Sequence, residues 1–151
     1  MKRRWTFEEI IDYAIDKEMD EVEFYSEVAS RMDRKHVKGL FGDIALEKTA
    51  RMLRLEKMKD AKPELNLDEI KDMKITGSLE DVDHTRNDFT YQDALIIAMK
   101  KEKIAFRLYK DLASAALDEP SKKLFLVLAQ EEAKHKLCFE VEYNNNILTE
   151  N

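Results

Sequence analysis

The sequence predicts an all-α protein of one domain, residues 1–151, folded as a four-helix bundle of two repeated helical hairpins. The composition is the first reason, since 38% of the residues are charged and 44% hydrophobic, with only three glycines and two prolines. This balance favours long helices over sheet. The second reason is that apolar residues recur with the helical period over four long segments. The third is an internal repeat that relates the two halves of the chain.

The first hairpin is predicted over residues 5–60. Thr6 and Glu9 form a capping box that opens a helix reaching about Met32. A short polar break follows, and a second helical pattern continues until it fades before Pro63. Because the connection is so short, the two helices must be antiparallel neighbours.

The second hairpin is predicted over residues 90–146. Thr90 and Asp93 form another capping box, which opens a third helix reaching about Ala116. Pro120 suits the first turn of a fourth helix, which ends near the run of asparagines at 144–146. The two hairpins therefore open with the same signal.

Residues 61–89 are predicted to connect the hairpins as a long crossover. The helical pattern lapses there, with Pro63, Gly77 and an acid-rich stretch, although residues 65–73 are a candidate short helix. A connection of about 29 residues easily spans a 25-residue helix, which is only about 38 Å long. The second and third helices then run parallel, in an up-down-down-up order.

The hairpins repeat without a gap at an offset of 84 positions. Residues 5–58 and 89–142 pair with 14 identities in 54 positions, counted along the sequence, against roughly three expected from composition. Both capping boxes stay in register. Equivalent core residues are therefore expected to meet around a two-fold axis at the centre of the bundle.

Charge and cysteine content exclude several functions. The net charge of -6 comes from 32 acidic and 26 basic residues that are finely interleaved, so no basic stripe is present to follow nucleic acid. The basic start of the chain leads into an acidic segment rather than an apolar signal region, and no run approaches membrane-spanning length. We expect a cytoplasmic protein without membrane contact. The single cysteine, Cys138, excludes an internal disulfide, and we expect it to be a small buried hydrophobe.

Four residues are candidate metal ligands. Glu18 and Glu102 are equivalent in the repeat, and Glu132 with His135 forms Glu-x-x-His, a spacing that puts both side chains on one helix face. Two single glutamates with two inward Glu-x-x-His pairs are the ligand set of a carboxylate-bridged two-iron or two-manganese site.

Tyr25 and Tyr109 each follow one of the single glutamates by seven residues, which returns to nearly the same helix face. We expect both tyrosines near the site as core packing residues with a hydrogen-bonded hydroxyl.

The segments from Ala14 to Tyr25, from Ala98 to Tyr109 and from Leu128 to His135 resemble the rubrerythrin-like branch of the ferritin-like superfamily. The likeness covers nearly the whole chain outside the crossover. It implies a ferritin-like fold with a non-haem di-iron site and a role in peroxide reduction or in handling iron or oxygen.

The sequence departs from this family in one half of the site. In the repeat register, Glu132 pairs with Lys48 and His135 pairs with Arg51, so the second helix offers Lys-x-x-Arg. Glu47 lies near the site, but a shift of one residue puts only Ala50 three positions after it.

Two further elements of the family are missing from the sequence. Ala105 stands where some rubrerythrins place an extra carboxylate ligand, and the four cysteines of a rubredoxin domain are absent. Any electron donor would therefore be a separate protein.

Two functions remain open, with a third arrangement of the site. In the first, Glu18, Glu102, Glu132 and His135 hold one iron, manganese or zinc ion with a residual redox role. In the second, Lys48 and Arg51 replace the metals with a buried salt-bridge network, no metal is bound, and the protein is a binding or structural module. In the third, the site is assembled between chains of the expected homodimer.

Overall fold

The computed structural model describes residues 5–66 and 88–146, which form four long helices. Their bounds are α1 Phe7–Arg31, α2 Lys35–Ala61, α3 Tyr91–Ala115 and α4 Glu119–Asn146. The predicted all-α class is confirmed. The first hairpin extends to the end of α2 at Ala61, and within the described ranges no helix is both long and apolar enough to span a membrane.

Both hairpins begin with the predicted capping box. The backbone N–H of Glu9 donates to Thr6 Oγ1 over 3.2 Å, and Thr6 N–H donates back to the Glu9 carboxylate over 3.3 Å. Thr90 and Asp93 repeat both bonds at 3.1 and 3.0 Å. Each box satisfies backbone donors that the first turn of a helix leaves unpaired.

The chain after α2 shows that α2 and α3 are parallel. Asn66 N–H donates to the Ala115 carbonyl over 2.7 Å, and Leu117 N–H donates to the Glu64 carbonyl over 2.8 Å. The C-terminal ends of α2 and α3 therefore lie side by side, so the helices run up-down-down-up. The remainder of the crossover, with most of the candidate helix at 65–73, lies outside the described residues; Leu65 and Asn66 are not helical.

Two apolar clusters fill the two ends of the bundle, and the repeat relates them. One contains Leu55, Tyr109 and Phe125. The other contains their equivalents Phe139, Tyr25 and Phe41; there the Phe139 ring stacks on Tyr25 at 5.7 Å and on Phe41 at 5.4 Å between centroids. The two-fold relation thus exchanges the ends of the bundle and leaves its middle for polar residues, so the expectation that equivalent core residues meet at the centre is wrong for these apolar ones.

Cys138 is exposed, so the expectation that it is a buried hydrophobe is wrong. The next residue, Phe139, is completely buried and His135 is nearly so. Successive residues on a helix point about 100° apart, and the inward direction at this turn is taken by those two side chains.

We predict that removing either capping box costs about 1 kcal/mol of unfolding free energy. Thr6→Ala and Thr90→Ala each leave one backbone donor without its side-chain acceptor. Urea unfolding followed by circular dichroism measures the loss. Thr49→Ala is the matched control, since Thr49 lies within α2 and donates to the carbonyl of Ala45; this change should be close to neutral. Equal losses in all three variants would contradict the capping argument.

Candidate functional site

The middle of the bundle holds a cluster of buried charged side chains, contributed by all four helices. None of its carboxylates or cations is more than 5% exposed, and its histidine is 7% exposed. Its members are Glu18 and Glu21 from α1, Lys48 and Arg51 from α2, Glu102 from α3, and Glu132 and His135 from α4.

Lys48 lies between carboxylates from three other helices. Its Nζ is 3.0 Å from Glu132 Oε2, 3.1 Å from Glu102 Oε1 and 3.4 Å from Glu21 Oε1. The same Nζ also lies 5.7 Å from the centre of the Tyr25 ring. The ammonium group therefore bridges α1, α3 and α4 from its position on α2.

Arg51 lies one turn further along α2 and faces a second group of carboxylates. Its Nη1 is 3.3 Å from Glu18 Oε1 and also bonds Glu132, while its Nη2 is 3.5 Å from Glu131 Oε2. Glu132 is thus shared by Lys48 and Arg51. The repeat register predicted that both cations face the site, and the structure places them there.

Each site tyrosine bonds the glutamate of the other hairpin. Tyr25 OH donates to Glu102 over 2.6 Å, and Tyr109 OH donates to Glu18 over the same distance. Burial, together with the carboxylate charge, raises the pKa of both hydroxyls well above the usual value, so they act as hydrogen-bond donors. The expected core role of the two tyrosines is met by a symmetric pair of cross-hairpin bonds.

His135 and Arg51 occupy equivalent positions and make equivalent bonds. His135 Nε2 bonds Glu47, and Arg51 bonds Glu131, which is the residue that the repeat aligns with Glu47. The outer carboxylates at the rim of the site are therefore present in both hairpins. Only the residues that face the centre differ between the two halves.

Glu21 belongs to the site, and the sequence analysis missed it. It lies three residues after Glu18, on the same helix face, and it is the repeat equivalent of Ala105 on α3, where some rubrerythrins have an extra carboxylate. The extra carboxylate lies on α1 instead. Neither Glu21 oxygen has a hydrogen-bond partner, and burial raises its pKa to about 8, with Glu18 and Glu102 adding to the rise while Lys48 opposes it.

Opposite charges hold Lys48, Glu102 and Arg51 in their ionised forms: Glu21, Glu102 and Glu18 act on Lys48, Glu18 acts chiefly on Arg51, and Lys48 acts chiefly on Glu102. Burial by itself lowers the pKa of Lys48 and Arg51 and raises that of Glu102. The opposite charges outweigh burial, so the pKa of each cation lies above its usual value and that of Glu102 lies below its usual value. The cluster is therefore an ion-pair network at neutral pH.

Three of the four predicted metal ligands come together. Glu102, Glu132 and His135 each offer an atom within 4.8 Å of the other two. His135 Nδ1 lies 3.4 Å from Glu102 Oε2 and has no hydrogen-bond partner. Glu18, the fourth, is outside this group and bonds Arg51 and Tyr109.

Inward glutamates and a Glu-x-x-His motif at the centre of a four-helix bundle are features of the ferritin-like carboxylate proteins. The family model described as rubrerythrin matches residues 9–143. The chain belongs to the rubrerythrin family, as the sequence resemblance implied.

One solved structure with the same fold is a crystal structure from Thermotoga maritima, described as a ferritin-like diiron-carboxylate protein. It matches with a TM-score of 0.74 and 21% identity, over 97% of this chain and 99% of that one. At this identity the likeness shows the fold. A comparison with curated proteins gave no match.

We predict that the unfolding free energy of Glu21→Gln, compared with that of the parent at the same pH, increases between pH 5 and pH 8. The folded-state pKa of about 8 lies above the ordinary value of 4.5. The unfolded chain therefore loses this proton first, and the parent's unfolding free energy falls by about 1.4 kcal/mol per pH unit between these values. Glutamine carries no such proton, so the difference between the two proteins should grow by roughly 3 kcal/mol from pH 5 to 8.

Urea unfolding at several pH values measures this difference. Glu23→Gln, an exposed neighbour on α1, is the matched control and should leave the pH dependence unchanged. Parallel pH profiles for the parent and Glu21→Gln would show that Glu21 is ionised in the folded state.

Proposed function

We propose that this chain is a metal-independent member of the rubrerythrin family, in which Lys48 and Arg51 take the place of the two metal ions, and that it serves as a binding or structural module. The observation that carries the proposal is the position of Lys48 Nζ, 3.0 Å from Glu132 and 3.1 Å from Glu102. A cation of the protein itself occupies the space between the carboxylates that would bridge two metals.

The residues present do not fit a two-metal centre. Such a centre in this fold takes two Glu-x-x-His pairs, and α2 supplies Lys48 and Arg51 at the two equivalent positions. Neither of these side chains has a free lone pair when charged, and the pKa of each is raised. Two ligands of the set are thus replaced by groups that repel a metal cation.

Charge balance supports the same proposal. Carboxylates buried without a cation cost several kcal/mol each or become protonated. Here Arg51 bonds Glu18 and Glu132, and Lys48 bonds Glu102 and Glu132. The two cations thereby supply the compensation that metal ions give in the intact site, so the bundle needs no metal to fold.

A second candidate function is the binding of one divalent ion by Glu102, Glu132 and His135. The position of His135 Nδ1, 3.4 Å from Glu102 Oε2, and the grouping of the three ligand atoms within 4.8 Å favour it. Iron, manganese and zinc all accept this mixture of carboxylate and imidazole ligands. An ion there would have to displace Lys48 from both carboxylates, which is why the metal-independent function is preferred.

We predict that Lys48→Glu combined with Arg51→His makes the chain bind two metal ions, while the parent binds none. The double variant has Glu-x-x-His on α2 and hence the complete set of four glutamates and two histidines. Each single change should cost about 3 kcal/mol without metal, because it leaves buried carboxylates without their cation. Added iron(II) or manganese(II) should raise the melting temperature of the double variant by binding the folded state.

Metal content per chain and melting temperature, with and without a chelator, are measured for the parent, both single variants and the double variant. Arg107→His with Lys57→Glu makes the same exchanges at exposed positions away from the site and should bind no metal. A double variant that binds no more metal than the parent would show that positions 48 and 51 are not equivalent to Glu132 and His135.

The second candidate is tested on the parent protein with His135→Ala. One ion per chain in the parent, lost in His135→Ala and retained in Cys138→Ala one turn away, would establish the single-ion site and overturn the metal-independent proposal. Absence of bound metal from both variants and from the parent, after loading with each ion, is the result expected from the ion-pair network.

A further inference from the structure

The outer face between α3 and α4 carries a groove of about 480 Å³ with a basic and apolar lining. Its residues are Lys103, Phe106, Arg107, Ala133, Lys136, Leu137 and Glu140. We call this the basic face. It holds three cations and one anion on a chain whose net charge is -6, and its Leu137 is 59% exposed. Exposed apolar surface rimmed by charge is characteristic of a contact surface.

The repeat provides an equivalent face between α1 and α2 with the opposite charge. Shifting the basic face by 84 positions gives Met19, Val22, Glu23, Thr49, Met52, Leu53 and Glu56. We call this the acidic face. It contains two anions and no cation, and its Leu53 and Met19 are 64% and 44% exposed. The repeat aligns Leu53 with Leu137, so both faces have a leucine at this position, whereas it aligns Arg107 of the basic face with Glu23 of the acidic face.

The two faces are complementary to each other, because both present an apolar centre at Leu53 or Leu137 and their rims carry opposite charges. One molecule cannot join its own two faces. Helix α1 packs on α2 and α3 packs on α4, and the inner sides of these two pairs meet in the core. Their outer sides, which carry the two faces, therefore point away from each other. A second copy can join them. We propose that the acidic face of one copy of this chain docks on the basic face of another copy.

This contact is heterologous, since different surfaces of the two copies meet. Each copy in the contact still has one free face, so the association continues into a chain of molecules or closes into a ring. The occupant of the basic face is therefore the α1–α2 surface of the same protein, and the assembly is independent of whether the buried site binds metal.

The test measures sedimentation velocity of the full chain over a range of concentrations. The parent should form species larger than a dimer as concentration rises to about 1 mM. Raising the salt from about 0.05 M to about 0.5 M should weaken the association, because it screens the charged rims.

Two charge-reversal variants test the pairing of the faces. Glu23→Lys with Glu56→Lys changes the acidic face, and Lys103→Glu with Arg107→Glu changes the basic face. Each variant alone should associate at least about tenfold more weakly than the parent, because like charges then face each other across the contact. An equimolar mixture should associate again, because each variant retains the face that the other has lost and the reversed faces also match in charge.

Asp43→Lys with Glu64→Lys is the matched control for the acidic-face variant, and Lys122→Glu with Lys123→Glu is the matched control for the basic-face variant, since each pair makes the same change of net charge at exposed positions outside both faces. Both controls should associate as the parent does, and thermal melts establish that all variants are folded. A parent that is monomeric at about 1 mM would overturn the proposal. So would a dimer that only one of the two reversals affects, since that result identifies a symmetric contact of one face with itself.

Discussion

Buried carboxylates need a nearby positive charge, and this requirement governs the centre of the molecule. Glu18, Glu102 and Glu132 lie in the middle of the bundle with almost no exposed surface. In water each charge would be hydrated, and transfer to the interior without compensation costs several kcal/mol. Lys48 and Arg51 meet this requirement from a single helix. Because their partners lie on the other three helices, the same ion pairs hold α2 in position against α1, α3 and α4. The same ion pairs thus compensate the buried charges and position the helices.

The two-fold repeat explains both what is symmetric in this site and what is not. Tyr25 and Tyr109 each donate a hydrogen bond to the glutamate of the other hairpin, Glu102 and Glu18 respectively. The tyrosine of each hairpin therefore needs the other hairpin for its acceptor. The rim repeats this pattern, with Glu47 and Glu131 bonding His135 and Arg51. Symmetry fails only at the positions that face the centre. A change at two such positions alters the charge of the centre while the surrounding bonds stay in place, so the family fold is compatible with a centre that contains Lys48 and Arg51.

The charged centre also accounts for the unusual pattern of α2 and α4. These helices direct Lys48, Arg51, Glu132 and His135 inward, while leucines such as Leu53 and Leu137 lie on their outer faces. The separation of apolar and polar sides that marks an ordinary surface helix is therefore weak in both. The inward charged side chains form the ion-pair network, and the outward leucines are part of the acidic and basic faces that we propose to join two copies. Helices α2 and α4 thus contribute both to the ion-pair network and to the two proposed contact faces.

The sequence by itself determined the helices, their capping boxes, the repeat and the inward direction of Lys48 and Arg51. These features depend on local spacing and on an ungapped register, both of which can be read along the chain. Only the tertiary structure decided which groups meet. Glu21 follows Glu18 by three residues on one helix face, so spacing alone could have placed it in the site, whereas its contact with Lys48 depends on another helix. Cys138 was misplaced because the inward directions at its turn are taken by His135 and Phe139. The bond from Tyr25 to Glu102 likewise crosses between hairpins. Periodicity fixes the direction of a side chain from its own helix, whereas its partner and its charge state depend on atoms that other helices bring within 3 to 4 Å.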